Sequence, residues 1–265
     1  HTYDSLFPVK NDDIFDIASI TKVASSTTAL MKLYEEGKFD LDATLSDYLP
    51  YFKRGNLGDL TFREMLSHQA GLKSWIPFWK NTVKPNGKFR WFTFKEDSSK
   101  RFPLKVADNL YLHRKYKRKL YKTIRKSEVG EKQYVYSDLS FYLYPEIVER
   151  LSGMPFEQYV DQHFYQPMGA GTFSFNPYSK HPSYKIVPTE FDSLFRKQLL
   201  WGRVHDEGSA MMGGLSGHAG LFATANDLAK LAQMWCNYGE YGGKRYLSEE
   251  TVREFTRCQF CGENG

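Results

Sequence analysis

A serine and a lysine three residues apart, Ser19-x-x-Lys22, are the residues best suited to chemistry, and no other serine in the chain has a lysine at this spacing. In a helix the spacing places both side chains on one face, where the amine can take the hydroxyl proton. A helix N-terminus there would also stabilise an oxyanion. The pair predicts nucleophilic acyl transfer. The alternative is that Ser19 only caps the helix and Lys22 is solvated.

A second polar pair, Tyr136-x-Asp138, precedes a strong helical pattern. On an extended segment, side chains two residues apart project to the same side. Together with a Ser/Lys pair, a phenol and a carboxylate could relay a proton and hold a substrate amide. The alternative is a core tyrosine whose hydroxyl is satisfied by hydrogen bonds.

These residues need helices to position them, and apolar periodicity predicts such helices. Capping boxes at Thr61-x-x-Glu64 and Thr224-x-x-Asp227 mark two of the helix starts. Residues 169–210 are rich in turn formers and predict long loops with short strands. Predicted helix therefore exceeds predicted strand. The predicted helices lie within 14–36 (ending at Gly37), 61–68 (closed by Gly71), 137–151 (ending at Gly153), 155–165 and 224–235.

The composition is that of an ordinary globular protein. The 265 residues are 41% apolar and 25% charged, with a formal charge of +5, which excludes collagen-like, disordered and disulfide-scaffold classes. No apolar run reaches the roughly 18 residues of a membrane span, and residues 1–10 do not read as a secretory signal. We expect a single domain over residues 1–265.

Residues 73–133 are aromatic, basic and irregular, and we interpret them as an insertion within this domain. Between Leu112 and Lys132 there are nine Lys/Arg and two Glu. Interleaved tyrosines could track a nucleic-acid phosphate backbone. Their near-helical spacing favours instead a solvated helix with an inward Tyr/Leu stripe. We therefore expect no nucleic-acid partner.

The cysteines are Cys236, Cys258 and Cys261, too few for a disulfide framework. The spacing Cys258-x-x-Cys261 is half of a zinc-ribbon pattern, but no second Cys or His pair follows it. We expect neither a metal site nor a cofactor.

The motifs in their order resemble the serine β-lactamase and penicillin-binding-protein superfamily. The branch they resemble most is the class C β-lactamases with their esterase and D-aminopeptidase relatives. The resemblance covers roughly residues 13–235 and implies an α+β, β-lactamase-like fold in which a helical region packs on an antiparallel sheet. The segments that carry it are Ser19-x-x-Lys22, Leu66-Ser67-His68-Gln69-Ala70-Gly71-Leu72, Tyr136-x-Asp138 and Gly220-Leu221-Phe222-Ala223-Thr224-x-x-Asp227.

The resemblance also implies the site residues. Ser19 would be the nucleophile of an acyl-enzyme, with Lys22 and Tyr136 sharing general-base work. Asp138 stands where the family usually has Asn, which removes an amide donor from substrate binding. The family also has a Lys/His-Thr/Ser-Gly triplet, for which this sequence has no clear match. His218-Ala219-Gly220 runs directly into the scaffold segment, Gly220-Leu221-Phe222-Ala223-Thr224, which in the family precedes the strand that carries the triplet. His218 is the weaker candidate for substrate binding; as a loop histidine it would have no such role.

Two functions remain open at this point. The first is a serine hydrolase without metal or cofactor, acting on esters, D-amino-acid peptides, peptidoglycan-like substrates or β-lactams, with the insertion above the site favouring bulky or anionic ones. The second is a catalytically inactive binding or scaffold module. Only 18 residues precede Ser19 and 38 follow Asp227, so we expect a fragment, or a sheet completed by further material. The resemblance implies a periplasmic or extracellular location.

Overall fold

The computed structural model describes residues 8–262, which form two compact units. The first takes in the described residues of His1–Lys22, Pro77–Leu120 and Gly169–Lys230, and the second Val23–Ile76, Tyr121–Met168 and those of Leu231–Gly265. Residues 77–120 of the 73–133 segment fall in the first unit and its remainder in the second. A single domain with an insertion stays a prediction.

The first unit contains most of the strands. A three-stranded antiparallel sheet has the order β1-β8-β5, a second has the order β2-β4-β3, and β6 pairs with β7. Each strand is two to four residues long, as expected for segments bounded by turn formers. The strands are β1 (Phe15–Asp16), β2 (Phe94–Lys95), β3 (Leu104–Ala107), β4 (Leu110–Leu112), β5 (Ser174–Phe175), β6 (Phe191–Asp192), β7 (Gln198–Leu199) and β8 (Leu221–Ala223).

Two packing contacts help to hold the first unit together. Ile14, Ile186 and Phe222 form a buried apolar cluster on which the partly buried ring of Tyr178 packs. Burying three such side chains contributes several kcal/mol, at roughly 1.5–3 kcal/mol each. A short helix, α7 (Glu207–Met211), packs against β3.

The second unit is helical. Its first long helix is α1 (Thr28–Glu35), continuous with a π-helical turn over Lys22–Thr27. The other helices are α2 (Leu45–Tyr48), α3 (Phe62–Leu66), α5 (Tyr144–Ser152), α6 (Phe156–Val160) with a π-helical turn at Asp161–Tyr165, and α9 (Glu249–Thr256). A small hairpin joins β9 (Glu240–Tyr241) to β10 (Lys244–Arg245). Helices α4 (Lys115–Arg125) and α8 (Ala225–Cys236) contribute residues to both units.

The core of the second unit is largely aromatic. The ring of Phe62 is fully buried and lies 4.8 Å from Phe39, 5.4 Å from Tyr48 and 6.0 Å from Tyr144 between centroids. Helix α1 packs against α5, α6 and α9. Phe62 is also the first residue of α3, so the capping box that starts this helix aims its ring into the core.

Most predicted helices are confirmed, with one corrected start. The Thr61–Glu64 capping box forms as predicted, and Gly153 ends α5 with a left-handed φ of 73°. The helix predicted from Ser137, however, begins only at Tyr144. Pro145 is the reason, because proline is tolerated in the first turn of a helix but disrupts its interior. The predicted helix-rich α+β organisation with antiparallel sheets is confirmed.

The basic segment forms the predicted amphipathic helix, α4, with Tyr116, Leu120 and Ile124 buried.

The two cysteines near the C-terminus pair with each other instead of standing as half of a zinc site. Cys258 and Cys261 form a disulfide, and Cys236 is a free, exposed thiol. Within residues 8–262 no cluster of three or more potential metal ligands occurs. In the same residues, no helix is both long and apolar enough to cross a membrane.

Candidate active site

Ser19 lies in the turn that leads into the first long helix. It is exposed, whereas Lys22, at the start of the π-helical turn, is only 3% exposed. The Lys22 Nζ lies 2.9 Å from the Ser19 Oγ. The predicted spacing therefore does bring amine and hydroxyl together, with the hydroxyl open to a substrate and the amine shielded.

Strand β8 fixes the backbone on both sides of the serine. The Ile17 N–H donates to the Leu221 carbonyl at 3.0 Å, and the Leu221 N–H donates to the Thr21 hydroxyl at 3.2 Å. One residue of the sheet thus holds the chain before and after Ser19. This connection explains why the scaffold segment beginning at Gly220 accompanies the Ser/Lys pair.

The turn before Ser19 is held by a carboxylate. Ala18 adopts a left-handed φ of 45°, which is unusual for a residue with a side chain. Its N–H donates to Asp16 Oδ1 at 2.8 Å, and the N–H of His205 donates to Asp16 Oδ2 at 2.7 Å. Burial raises the pKa of Asp16, although both N–H groups oppose the rise. Asp16 thus stabilises the strained turn that presents the nucleophile.

His218 does not project from the site as a substrate ligand would. Its side chain is 1% exposed, with Nδ1 2.9 Å from Ser216 Oγ and Nε2 2.8 Å from Asp206 Oδ1. Its backbone carbonyl accepts a hydrogen bond from Lys22 Nζ at 3.4 Å. His218 is thus joined to the Ser/Lys pair through its main chain.

Asp206 carries the negative charge of this network. It caps α7 by accepting from the Ser209 N–H at 2.6 Å. Burial acts to raise the pKa of Asp206, but the charge and hydrogen bond of His218, the Ser209 N–H and the charge of Lys22 lower it to about 2. The carboxylate is therefore ionised at neutral pH. The capping pattern Asp206-x-x-Ser209 is the only sequence signal that could have found it.

Tyr136 and Asp138 lie in the second unit. Tyr136 is 42% exposed, and its ring centroid lies 4.6 Å from that of His68. The Asp138 N–H donates to the Ser74 carbonyl at 2.8 Å, and the Ser137 N–H donates to His68 Nδ1 at 3.1 Å. His68 thus holds the Tyr136–Asp138 segment through its ring.

The loop after α3 fixes the tyrosine segment. The Val135 N–H donates to the His68 carbonyl, and the Ser137 hydroxyl donates to the Lys73 carbonyl at 2.6 Å. Gly71, with a φ of 66°, accepts from the Gly130 N–H at 2.8 Å. The conformation of residues 68–74 thus determines where the Tyr136 backbone lies. This dependence explains why Ser67-His68-Gln69-Ala70-Gly71 accompanies Tyr136-x-Asp138 in the sequence.

The sequence of this chain is similar to those of known proteins. A family model described as "Beta-lactamase" matches residues 2–259. A Salmonella schwarzengrund protein named "Putative D-alanyl-D-alanine carboxypeptidase" is 32% identical over an alignment of 264 positions that covers 92% of this chain and 56% of that protein. The chain spans about half the length of the curated relatives it matches.

Solved structures agree on the fold. D-amino acid amidase from Ochrobactrum anthropi has a TM-score of 0.62 at 16% identity, over 94% of this chain and 61% of that one. A class C β-lactamase from Rhodobacter sphaeroides has a TM-score of 0.59 at 18% identity, over 92% and 57% of the two chains. The predicted β-lactamase-like fold is confirmed.

Proposed function

Because the chain belongs to the β-lactamase family, we propose that it is a serine acyl-hydrolase with Ser19 as nucleophile. The observation that carries this proposal is the contact of 2.9 Å between the exposed Ser19 hydroxyl and the buried Lys22 amine. A serine is a weak nucleophile until a neighbouring base takes its proton. The lysine is in hydrogen-bonding position to do so.

The proposed reaction has two steps. Ser19 Oγ attacks the substrate carbonyl carbon while its proton passes to Lys22 Nζ. The tetrahedral intermediate then expels an amine or alkoxide, which takes the proton from Lys22 Nζ, and an ester remains on Ser19. A water molecule attacks that ester and passes a proton to Lys22 Nζ. The second tetrahedral intermediate expels Ser19 Oγ, which takes this proton back, and the carboxylic acid leaves. Neither step requires a metal or a cofactor.

The backbone of the site supports the first step. The Ser19 N–H makes no hydrogen bond to the described residues and precedes the helix, so it can donate to the developing oxyanion. The His218 carbonyl holds Lys22 Nζ from one side. Through its side chain, His218 is held in turn by the ionised Asp206. We therefore propose His218 and Asp206 as positioning residues for Lys22.

The roles of Tyr136 and Asp138 rest on their match to the second motif of the family. We propose that the Tyr136 phenol shares the general-base work and that Asp138 binds the substrate. The exposure of Tyr136 supports a group that meets a ligand. Substrates that fit the names of the relatives are peptides ending in D-alanyl-D-alanine, D-amino-acid amides and β-lactams.

We further propose that the protein works in an oxidising compartment, the periplasm or the cell exterior. The exposed disulfide between Cys258 and Cys261 supports this location, because such bonds are rare where thiols are kept reduced.

An inactive binding module is the second candidate, and the burial of His218-Ala219-Gly220 favours it. A third motif that contacts substrate would be expected to present its side chains to the site. The two functions differ in whether Ser19 becomes acylated.

Intact-mass measurement after incubation with a fluorescent penicillin and with a p-nitrophenyl ester tests the proposal. A mass increase that disappears in Ser19→Ala and persists in the control Ser98→Ala, which changes another exposed serine, is the expected result. A D-alanyl-D-alanine peptide and a D-amino-acid amide are then compared as turnover substrates. No adduct with either probe, and no turnover of any of these substrates, would leave the binding module as the function.

A further inference from the structure

Helix α4 separates its buried and charged residues by face. Its buried residues, Tyr116, Leu120 and Ile124, follow the four-residue spacing of one helical stripe. At about 100° per residue, the side opposite this stripe carries four exposed basic residues within an arc of about 100°. We call these the basic face: Lys115, Arg118, Lys119 and Lys122.

Two exposed aromatic residues adjoin the start of this face. Trp91 is 90% exposed and Phe92 is 39% exposed. Lys115 Nζ lies 5.9 Å from the centroid of the Phe92 ring, which also packs on Phe102 at 5.2 Å and on His113 at 5.6 Å. The Phe92 ring is therefore held in place beside the basic face, with Trp91 projecting next to it.

The charges along this stretch of the sequence are of one sign. No Asp or Glu occurs between Asp108 and Glu128. The pKa of His113 is lowered, first by burial and then by the positive charges of Lys115, Arg114 and Arg101. These three positive charges beside His113 indicate a positive potential at the start of α4.

Other helices of the same chain mix their charges. In α5, Glu146 pairs with Arg150, and in α9, Glu249 pairs with Arg253, each four residues apart. Such pairs stabilise a solvated helix, whereas like charges at this spacing destabilise it by a few tenths of a kcal/mol. A helix face that contacts only water would be more stable with alternating positive and negative side chains. The uniformly basic face of α4 therefore indicates an anionic partner.

We propose that the basic face, together with Trp91 and Phe92, is a docking surface for an anionic phospholipid bilayer. Lysine ammonium groups along one helix side can lie over lipid phosphates, and tryptophan and phenylalanine insert at the level of the headgroups. Single-stranded nucleic acid instead needs aromatic platforms for successive bases along the charged track. Here both aromatic residues lie at one end of the helix. This inference does not depend on the acyl-transfer proposal.

Vesicle co-sedimentation of the full chain tests the surface. The vesicles contain either phosphatidylcholine alone or phosphatidylcholine with about 30% phosphatidylglycerol, at low and moderate salt. The variant is Arg118→Gln/Lys119→Gln/Lys122→Gln. The matched control, Lys53→Gln/Arg54→Gln/Lys84→Gln, also removes one arginine and two lysines, all exposed and all outside the basic face. Trp91→Ala tests the aromatic contribution separately.

We expect binding only to the anionic vesicles, weakened by salt. Loss of three charges near such a surface corresponds to about a hundredfold lower partition coefficient, while the control stays within about threefold of the original chain. Trp91→Ala should weaken binding less than the triple variant does. The proposal is overturned if the chain does not bind anionic vesicles, if the control loses as much as the variant, or if the variant loses binding to single-stranded DNA but not to vesicles.

Discussion

The Lys22 amine lies 2.9 Å from the Ser19 hydroxyl, although the lysine is almost fully buried and the serine is exposed. The contact joins a group that a substrate can reach to one that bulk water cannot easily reach. Such shielding strengthens electrostatic interactions at the amine. The first prediction concerns this pair.

Lys22→Arg should strongly slow the acylation of Ser19. Arginine has a similarly long side chain, but it cannot take the serine proton because its guanidinium stays protonated. We expect the acylation rate with a p-nitrophenyl ester to fall by about 10²–10⁴-fold. Stopped-flow acylation measures it. A variant that acylates at the original rate would remove Lys22 from the general-base role.

Tyr136→Phe should lower turnover without lowering stability. The side chain is 42% exposed, and phenylalanine keeps the aromatic ring that packs beside His68. We expect about a 10²-fold fall in kcat/KM if the phenol transfers a proton, and an unchanged midpoint of urea unfolding. Tyr184→Phe, at a tyrosine that is 70% exposed, is the control and should leave turnover unchanged. Equal activity of both variants would contradict a catalytic phenol.

Asp206 should make the stability of the fold depend on pH in the acid range. The pKa of Asp206 is about 2 in the fold against an ordinary value of 3.8, so its carboxylate stabilises the fold above the ordinary value. This stabilisation is fully present at pH values above 3.8 and is lost as the pH falls from 3.8 toward 2. The side chain is 33% exposed, so we expect a loss of only about 1 kcal/mol between pH 5 and pH 3.

Urea unfolding at these two pH values measures the Asp206 contribution. Asp206→Asn keeps a good helix cap but should remove about 1 kcal/mol of the pH dependence. Asp59→Asn, at an exposed carboxylate, should retain that dependence. An Asp206→Asn variant with the original pH dependence would show that this carboxylate is not the responsible group.

Gly71→Ala should be far more damaging than Gly153→Ala. Both glycines have left-handed φ angles, 66° and 73°, which cost an alanine about 1–2 kcal/mol. At Gly71 the new Cβ would also lie 2.5 Å from the Gly130 carbonyl oxygen, whereas at Gly153 nothing lies within 4 Å.

We therefore expect Gly71→Ala to lower the free energy of unfolding by about 3 kcal/mol or more and Gly153→Ala by about 1 kcal/mol. Chemical denaturation compares them. Turnover should fall more in Gly71→Ala than in Gly153→Ala, because the loop that contains Gly71 holds the Tyr136 segment. Equal losses of stability in the two variants would contradict the close approach at Gly71.

The sequence by itself determined the local features. Capping boxes, the Gly153 helix end and the amphipathic pattern of α4 depend on neighbours within a few residues, so their propensities could be read from the chain. The Ser19-x-x-Lys22 spacing also belongs here, because a helical turn brings such residues together whatever packs around them. The start of α5 shows a misread local signal, since Pro145 already placed that boundary.

Only the tertiary structure decided what surrounds those local features. The contact of Lys22 with the carbonyl of His218 spans 196 residues, and the bonds of Leu221 on either side of Ser19 span about as many. Contacts between distant segments form where packing and hydrogen bonding of the whole chain are satisfied together, which no local pattern encodes. The same reason explains why Asp206 and the turn-holding role of Asp16 were missed.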